Sequence, residues 1–222
     1  MTPQLKIDFV SDVSCPWCVI GLKSLEEALV RLGGDIQTEL HFQPFELNPK
    51  MPAAGQEITE HITEKYGITP AQANANRENI RARGADVGFT FSRADDAGGG
   101  RSRIYNTFDA HRLLHWAELE DLGKQKALKE ALFKVYFTDG QSPGSHAVLL
   151  RVVADVGLDA LRAAEILATD EFAAEVRARE QFYLNQGIHS VPAVIINDKH
   201  LISGGQPVEV FERALRQIAV TG

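Results

Sequence analysis

Positive charge is scarce in this chain: 23 Lys and Arg stand against 30 Asp and Glu, a net charge of −7. That balance disfavours nucleic acid and anionic membranes as partners, since both want a basic face. No run approaches the roughly 18 apolar residues of a membrane span. The N-terminal "MTPQLKIDFVSDV" lacks a basic region followed by an apolar stretch, so no secretory signal is read there. The expectation is a cytoplasmic chain, in a compartment where thiols stay reduced and structural disulfides are rare. Cysteine is scarce too, with two in 222 residues. A zinc site of four protein ligands would have to recruit histidines. His111 and His115 have helical spacing, but "HRLLH" lacks the glutamate of a metalloprotease helix, and the pair reads as interior or semi-buried. Low-complexity sequence is absent; 44% apolar and 24% charged residues are ordinary for a globular protein, and the length allows a sizeable core.

What is present has a clear order. Leu5 to Val10, "LKIDFV", alternates and is rich in β-branched and aromatic residues, which predicts a strand. Cys18, Leu22, Leu25, Leu29 and Leu32 recur at helical spacing and predict a helix that Gly33-Gly34 ends. A second strand fits Ile36 to Phe45, with Ile36, Thr38, Leu40 and Phe42 on one face. From about Ile58 to Gly187 the chain reads as helices set apart by stop signals. "ITEHITEKYG" ends in Gly67, and "TPAQANANRENIRARGADVG" opens with Thr69 as N-cap and Pro70 at the first helical position. "RSRIYNTFDAHRLLHWAELEDLG" carries Ile104, Phe108, His111, His115 and Leu119 down one side. "KALKEALFKVYFTDG", "SHAVLLRVVADVG" and "TDEFAAEVRAREQFYLNQG" follow, the last with a Thr169-Asp170 cap. "SRADDAGGGRS" reads as the most flexible stretch in the chain. The β pattern returns in Val191 to Asn197 and in "HLIS", with "DK" as the turn; a closing helix points Val208, Phe211, Leu215 and Ile218 inward. The expected layout is β-α-β, a long helical insertion, then β-β-α: an α/β fold in which residues 1–57 and 188–222 form one discontinuous domain and 58–187 an all-helical insertion.

Both cysteines fall in "VSCPWCVIG", where the first strand turns into the first helix. Such a pair can be a metal clip, a structural staple or a redox centre. A bridge closing so small a loop removes little entropy from the unfolded chain, which weakens the staple. Redox chemistry needs one sulfur that ionises cheaply and a second within reach, and a helix N-terminus stabilises a thiolate. Cys15 stands where the helix starts, with Pro16 where a missing N–H costs nothing, so its sulfur faces unpaired N–H groups and the positive end of the dipole. Cys18 returns to the same side one turn on. The pattern points to Cys15 as nucleophile and Cys18 as resolving thiol, with Trp17 as a flat, exposed apolar surface between them. Asp12 and Ser14 read as turn-shaping and capping residues, Asp12 with a second reading as a proton relay to Cys18. "FELNP" reads as a turn in which Glu46 or Asn48 bonds nearby backbone. Asn106, Phe108, Asp109 and His111 are candidates for the insertion's face toward Cys15, with packing as the competing reading.

"SDVSCPWCVIG", "FELNP", "YNTFDAHRLLHWA" and "GIHSVPAVIIN" together resemble the DsbA-like branch of the thioredoxin superfamily, and within it the FrnE-like and 2-hydroxychromene-2-carboxylate isomerase-like group, over nearly the whole chain. The resemblance implies a thioredoxin fold with an inserted helical domain and a Cys-x-x-Cys that exchanges disulfides. It also implies that Pro192 is cis and lies against the cysteines, displaying the backbone of Val191 to a substrate strand. From the residues alone Pro192 reads as a strand starter as readily. His189 has a reading as a partner of Cys15 or of substrate, and a plainer one in the loop. The chain departs from the DsbA enzymes, which carry His between the cysteines where Pro16-Trp17 stand here, and which have an export signal.

The expected function is that of a dithiol–disulfide oxidoreductase acting on protein or small thiol substrates. No tightly bound cofactor and no metal are expected; glutathione is a candidate co-substrate, and the chain a monomer or homodimer. One alternative is a glutathione-dependent isomerase or transferase acting on a small aromatic compound. Those relatives typically carry Ser at the first active position, so the presence of both cysteines argues against it. Another is a binding module that uses the groove between the two domains.

Overall fold

The computed structural model describes residues 3–92 and 103–221. Of "SRADDAGGGRS" only Ser92 is among them, so the reading of that stretch lies outside the described residues. In chain order the elements are β1 (Gln4–Ser11), α1 (Pro16–Leu32), β2 (Gln37–Pro44), β3 (Gln56–Glu57), α2 (Ile58–Tyr66), α3 (Pro70–Asp86), β4 (Arg103–Ile104), α4 (Phe108–Glu120), α5 (Leu122–Phe137), α6 (His146–Asp155), α7 (Ala160–Leu167), α8 (Ala173–Asn185), β5 (Ala193–Ile196), β6 (His200–Ser203) and α9 (Val208–Thr221).

The main sheet has the order β2-β1-β5-β6, with β1 parallel to β2 and antiparallel to β5, and β6 antiparallel to β5. Lying inside the sheet, β1 buries Ile7, Phe9 and Val10, residues of both its faces. Phe9 stands opposite Phe42 and Val194, and the Phe9 and Phe42 rings meet edge to face at 5.8 Å. α1 covers the sheet with α9 beside it. Of its expected stripe Cys18, Leu22, Leu25 and Leu32 are buried and Leu29 half-buried; Ile20, Ser24 and Ala28 are buried as well, because α3 and α9 both lie against this helix. In α9 Phe211, Leu215 and Ile218 are buried and Val208 half-buried. The β5–β6 turn falls one residue earlier than "DK": Asn197 and Asp198 take φ of 52° and 58°, which short polar side chains tolerate.

The segment between β2 and β5 is helical but not wholly so, since β3 and β4 pair as a two-residue ribbon. Thr69 caps α3 in a reciprocal box: its Oγ1 accepts the Gln72 N–H at 3.2 Å and its own N–H reaches Gln72 Oε1 at 2.8 Å. Other expectations shift here. Ile104 belongs to β4 rather than to a helix, α4 starts at Phe108, and Leu119 is exposed. α7 has no counterpart among the helices read from the sequence; Asp159 caps it by accepting the Leu161 and Arg162 N–H groups. Thr169 does not cap α8 but bonds back to the carbonyls of Glu165 and Ile166 at the end of α7, and α8 begins after Phe172 in the left-handed region (φ 62°).

Among the described residues three apolar clusters result: one beneath the sheet, one among the helices and a smaller one of Val10, Phe45, Tyr183, Ile188 and Ala193; the first two interlock. Phe133 of α5 packs into the core that holds Cys15 and Cys18, whereas Val13 of the β1–α1 turn packs into the helical core. The free edge of β2 is closed from the same helix. Gln125 accepts the Phe42 N–H at 3.0 Å and donates to the Phe42 carbonyl at 2.9 Å, standing in for a neighbouring strand.

Candidate active site

Cys15 is the N-cap residue of α1, with φ −95° and ψ 113°, Pro16 follows it, and no side chain caps the first turn. Ser14 is no cap: its Oγ is buried and makes no hydrogen bond among the described residues. The cap position belongs to Cys15 itself, and the first turn carries no carboxylate, an arrangement that favours an anion there. The Cys18 N–H donates to the Cys15 carbonyl at 3.1 Å, and the Cys18 thiol lies in hydrogen-bonding reach of the Cys15 sulfur. Both cysteines are buried, 4% and 0% exposed, and each is a free thiol. Burial first, then the hydrogen bond and charge of Cys15, push the Cys18 thiol well above its ordinary value; Lys129 acts the other way.

The peptide bond between Val191 and Pro192 is cis. Cys15 Sγ lies 3.6 Å from the Val191 carbonyl oxygen, as a thiol donating to it. Pro192 is buried against α1 where Gly21 leaves room: a Cβ there would stand 3.0 Å from Pro192 Cγ and 3.3 Å from Gly205 Cα. Gly205 likewise lets the chain approach Trp17, for its Cβ would come 2.9 Å from the Trp17 carbonyl oxygen. Trp17 is therefore half-buried against the core rather than exposed. His189 is exposed on the preceding turn, and no hydrogen bond or ion pair ties it to the cysteines.

Behind the cysteines, Asp12 is buried and shapes the turn. Its Oδ1 accepts the Ser14 N–H at 3.1 Å, its Oδ2 accepts the Leu47 N–H at 2.7 Å, and His111 Nε2 of α4 stands 3.6 Å from Oδ1. Burial pushes this carboxyl up, but the His111 imidazole and the two N–H groups outweigh it and hold Asp12 below its ordinary value. "FELNP" does not bond nearby backbone through its side chains. Glu46 pairs with Arg177 of α8 and accepts from Asn106 at 3.4 Å, while Asn48 Oδ1 accepts from Lys65 at 2.8 Å. Arg177 also lies over the Phe108 ring, 3.7 Å from its centre. Asn106, Phe108 and His111 thus join a network behind the turn; Asp109 does not, being paired with Arg112 and His146.

Three residues near the cysteines escaped the sequence reading. Lys65 and Tyr66, exposed at the end of α2, stand within electrostatic reach of Cys15. No local pattern marks them, because only the folding of α2 over the turn brings them there. Lys129 of α5 is 0% exposed, and burial brings its amine down to about 8, with Cys18, Asp12 and Cys15 acting in the opposite sense. A signal for it exists: in "KALKEALF" it shares the inner side of α5 with Leu128, Leu132 and Phe133, an odd place for a cation. Among the described residues no group of three His, Cys, Asp or Glu side chains is placed to hold a metal ion, and no helix is long and apolar enough to cross a membrane.

Known proteins are similar to this chain in sequence and fold. The family model of the DSBA-like thioredoxin domain matches residues 6–216. A probable DsbA oxidoreductase from Streptomyces coelicolor is 31% identical and superimposes with a TM-score of 0.85, over 96% of this chain and 89% of that one. The uncharacterized protein YwbO of Bacillus subtilis is 26% identical over 216 residues, 97% of this chain and 96% of that protein. The cytosolic disulfide reductase DsbM from Pseudomonas aeruginosa, in its structure with GSH, is 15% identical with a TM-score of 0.64, over 96% of this chain and 98% of that one, a likeness of fold alone. With the sheet order, the two cysteines at the head of α1 and a family match running from β1 into α9, the chain belongs to the DSBA-like thioredoxin domain family.

Proposed function

We propose that this protein is a dithiol–disulfide oxidoreductase in which Cys15 attacks and Cys18 resolves. The observation that carries this reading is the placement of Cys15 at an uncapped helix N-terminus with the Cys18 thiol in hydrogen-bonding reach. The Cys15 thiolate attacks one sulfur of a substrate disulfide, forming a mixed disulfide and releasing the first substrate thiolate. Cys18 then loses its proton and attacks the Cys15 sulfur, closing the enzyme disulfide and releasing the second thiolate. Two electrons pass from enzyme to substrate, and the reverse sequence oxidises a substrate dithiol. The net direction follows the reduction potential against the surroundings, about 30 mV being worth about 1.4 kcal/mol for this two-electron couple.

Pro16, Trp17, Val191 and Pro192 frame the reacting sulfur, and His189 stands on the exposed turn before them. As a thiol Cys15 occupies the Val191 carbonyl; on ionisation that carbonyl is released to accept an N–H from a substrate strand. The substrates in this reading are protein disulfides or small thiols in the cytoplasm. Glutathione is the small-thiol candidate, on the precedent of the DsbM structure with GSH. No tightly bound cofactor or metal enters the scheme, and the working unit is a monomer or homodimer.

Reduction of insulin disulfides is the direct test. Cys15→Ser should fall to background, and Cys18→Ser should accumulate the mixed disulfide with substrate. Full activity in Cys15→Ser would overturn the mechanism. A glutathione-dependent isomerase would replace it if an aromatic acid were turned over after loss of Cys18.

A further inference from the structure

Lys129 takes no part in the scheme above, yet it is a costly side chain to bury. It is 0% exposed, and its Nζ makes no hydrogen bond with any described residue; the Phe133 ring lies 5.0 Å away. A buried cation without such partners is strongly disfavoured in an apolar interior.

Its position explains which way it faces. Gln125, Lys129 and Phe133 follow one another at intervals of four residues along α5, so they form one stripe. Gln125 clasps the backbone of Phe42, and Phe133 packs in the core that holds both cysteines. Lys129, between them, is buried with its Nζ over the ring of Phe133, a member of that core. The titratable groups that act on it are Cys18 of α1, Cys15 at its N-cap and Asp12 of the preceding turn. On α5 itself Lys126 and Glu130 turn outward to Glu26 and Lys23, while the Tyr136 hydroxyl donates to the Arg103 carbonyl at 3.0 Å. Asp12 is already engaged by Ser14, Leu47 and His111 of α4. Cys18 is the group without a countercharge.

We propose that Lys129 is the charge partner of Cys18, a positioning residue that gains a proton as Cys18 loses one and so supports the resolving thiolate. Alone, each group resists charging in this interior; as an ammonium and a thiolate they attract strongly, because the surroundings screen them little. The proposal rests on the reading of Cys18 as the resolving thiol. The Cys18 proton passes to the Lys129 amine, the Cys18 thiolate attacks the Cys15 sulfur of the mixed disulfide, the Cys15–Cys18 bond forms, and the bond to substrate breaks. The substrate leaves as a thiolate and takes a proton from water. Once the disulfide is closed Cys18 carries no charge, so Lys129 returns its proton to solvent. Lys129 therefore favours the dithiol over the disulfide.

Equilibration of the full chain with glutathione across about pH 6 to 10 tests this, comparing the wild type with Lys129→Met. The constant favouring the dithiol should fall about tenfold in Lys129→Met near pH 8, a shift of about 30 mV, and the inflection near that pH should vanish. The wild type supplies a second readout: the Lys129 side-chain carbon resonance should titrate at lower pH in the disulfide form than in the dithiol form. An unchanged potential and pH profile in Lys129→Met, or a Lys129 titration indifferent to redox state, would overturn the proposal. Neither readout needs turnover. A redox-dependent Lys129 in a protein that never reduces insulin would defeat the oxidoreductase reading alone, and an active enzyme with an indifferent Lys129 would defeat only the charge pairing.

Discussion

The sheet unit and the helical segment approach the same two cysteines with different chemistry. From the sheet side come backbone groups and apolar rings: the open N–H groups of α1, the Val191 carbonyl and buried Pro192. From the helical side come charges and amides: His111 at Asp12, Arg177 at Glu46, Gln125 at Phe42 and Lys129 in the shared core. The sheet unit holds the sulfurs in place, and the helical segment brings a buried amine, Lys129, into the electrostatics of Cys18. One half supplies the helix head and the backbone that meet the sulfurs; the other supplies charge through burial against a remote surface.

The joint between the two halves should break most severely at Asp12. Asp12→Ala strands the Ser14 and Leu47 N–H groups and leaves His111 without its carboxylate, at a cost of about 4 kcal/mol in urea unfolding. A loss below about 1 kcal/mol would show that the halves are not tied there. The depressed Asp12 carboxyl also contributes stability that is present above its ordinary value of 3.8 and is lost as pH falls through its folded value.

Lys129→Met should act in the opposite sense. An amine brought from 10.5 to about 8 by folding disfavours the folded state by about 3 kcal/mol at neutral pH. Between those two values the unfolded chain binds more protons, so wild-type stability should rise with pH across that window. Lys129→Met should lack the rise and unfold at higher denaturant at pH 7, less whatever contact with Phe133 it forfeits. Equal stabilities at pH 7 and pH 10 in the wild type would contradict this.

Gln125→Ala should cost about 2 kcal/mol, since Phe42 loses partners for both backbone groups at the edge of β2; faster amide exchange at Phe42 would localise the effect. The smallest loss is expected at Gly205→Ala, about 1 kcal/mol, because the added Cβ meets the Trp17 carbonyl at 2.9 Å and the loop after β6 must shift. A shift in Trp17 fluorescence should accompany it, and an unaltered spectrum would mean that the indole does not depend on this contact.

What could be read in advance divides along the same line. The Thr69 capping box, the apolar stripe of α9 and the start of α1 at Pro16 lie within a few residues of the signals that mark them. Trp17 reads as exposed because the glycine that covers it stands far along the chain. Glu46 and Asn48 read as turn residues because Arg177 and Lys65 are remote in sequence. Leu119 ends an apolar-looking face whose His111 is buried and whose His115 meets Phe172, but is itself exposed.

The chain's own order of residues determined the β-α-β and β-β-α halves, the helices between them and the placing of two thiols at a helix head, since hydrophobic period, capping and glycine stops act over one or two turns. Tertiary structure alone decided which charges reach those thiols. Burial among segments distant along the chain depresses the Lys129 amine, while His111 and the Leu47 N–H, brought from remote segments, strengthen the Asp12 acid against its own burial; no neighbour in sequence announces those contacts.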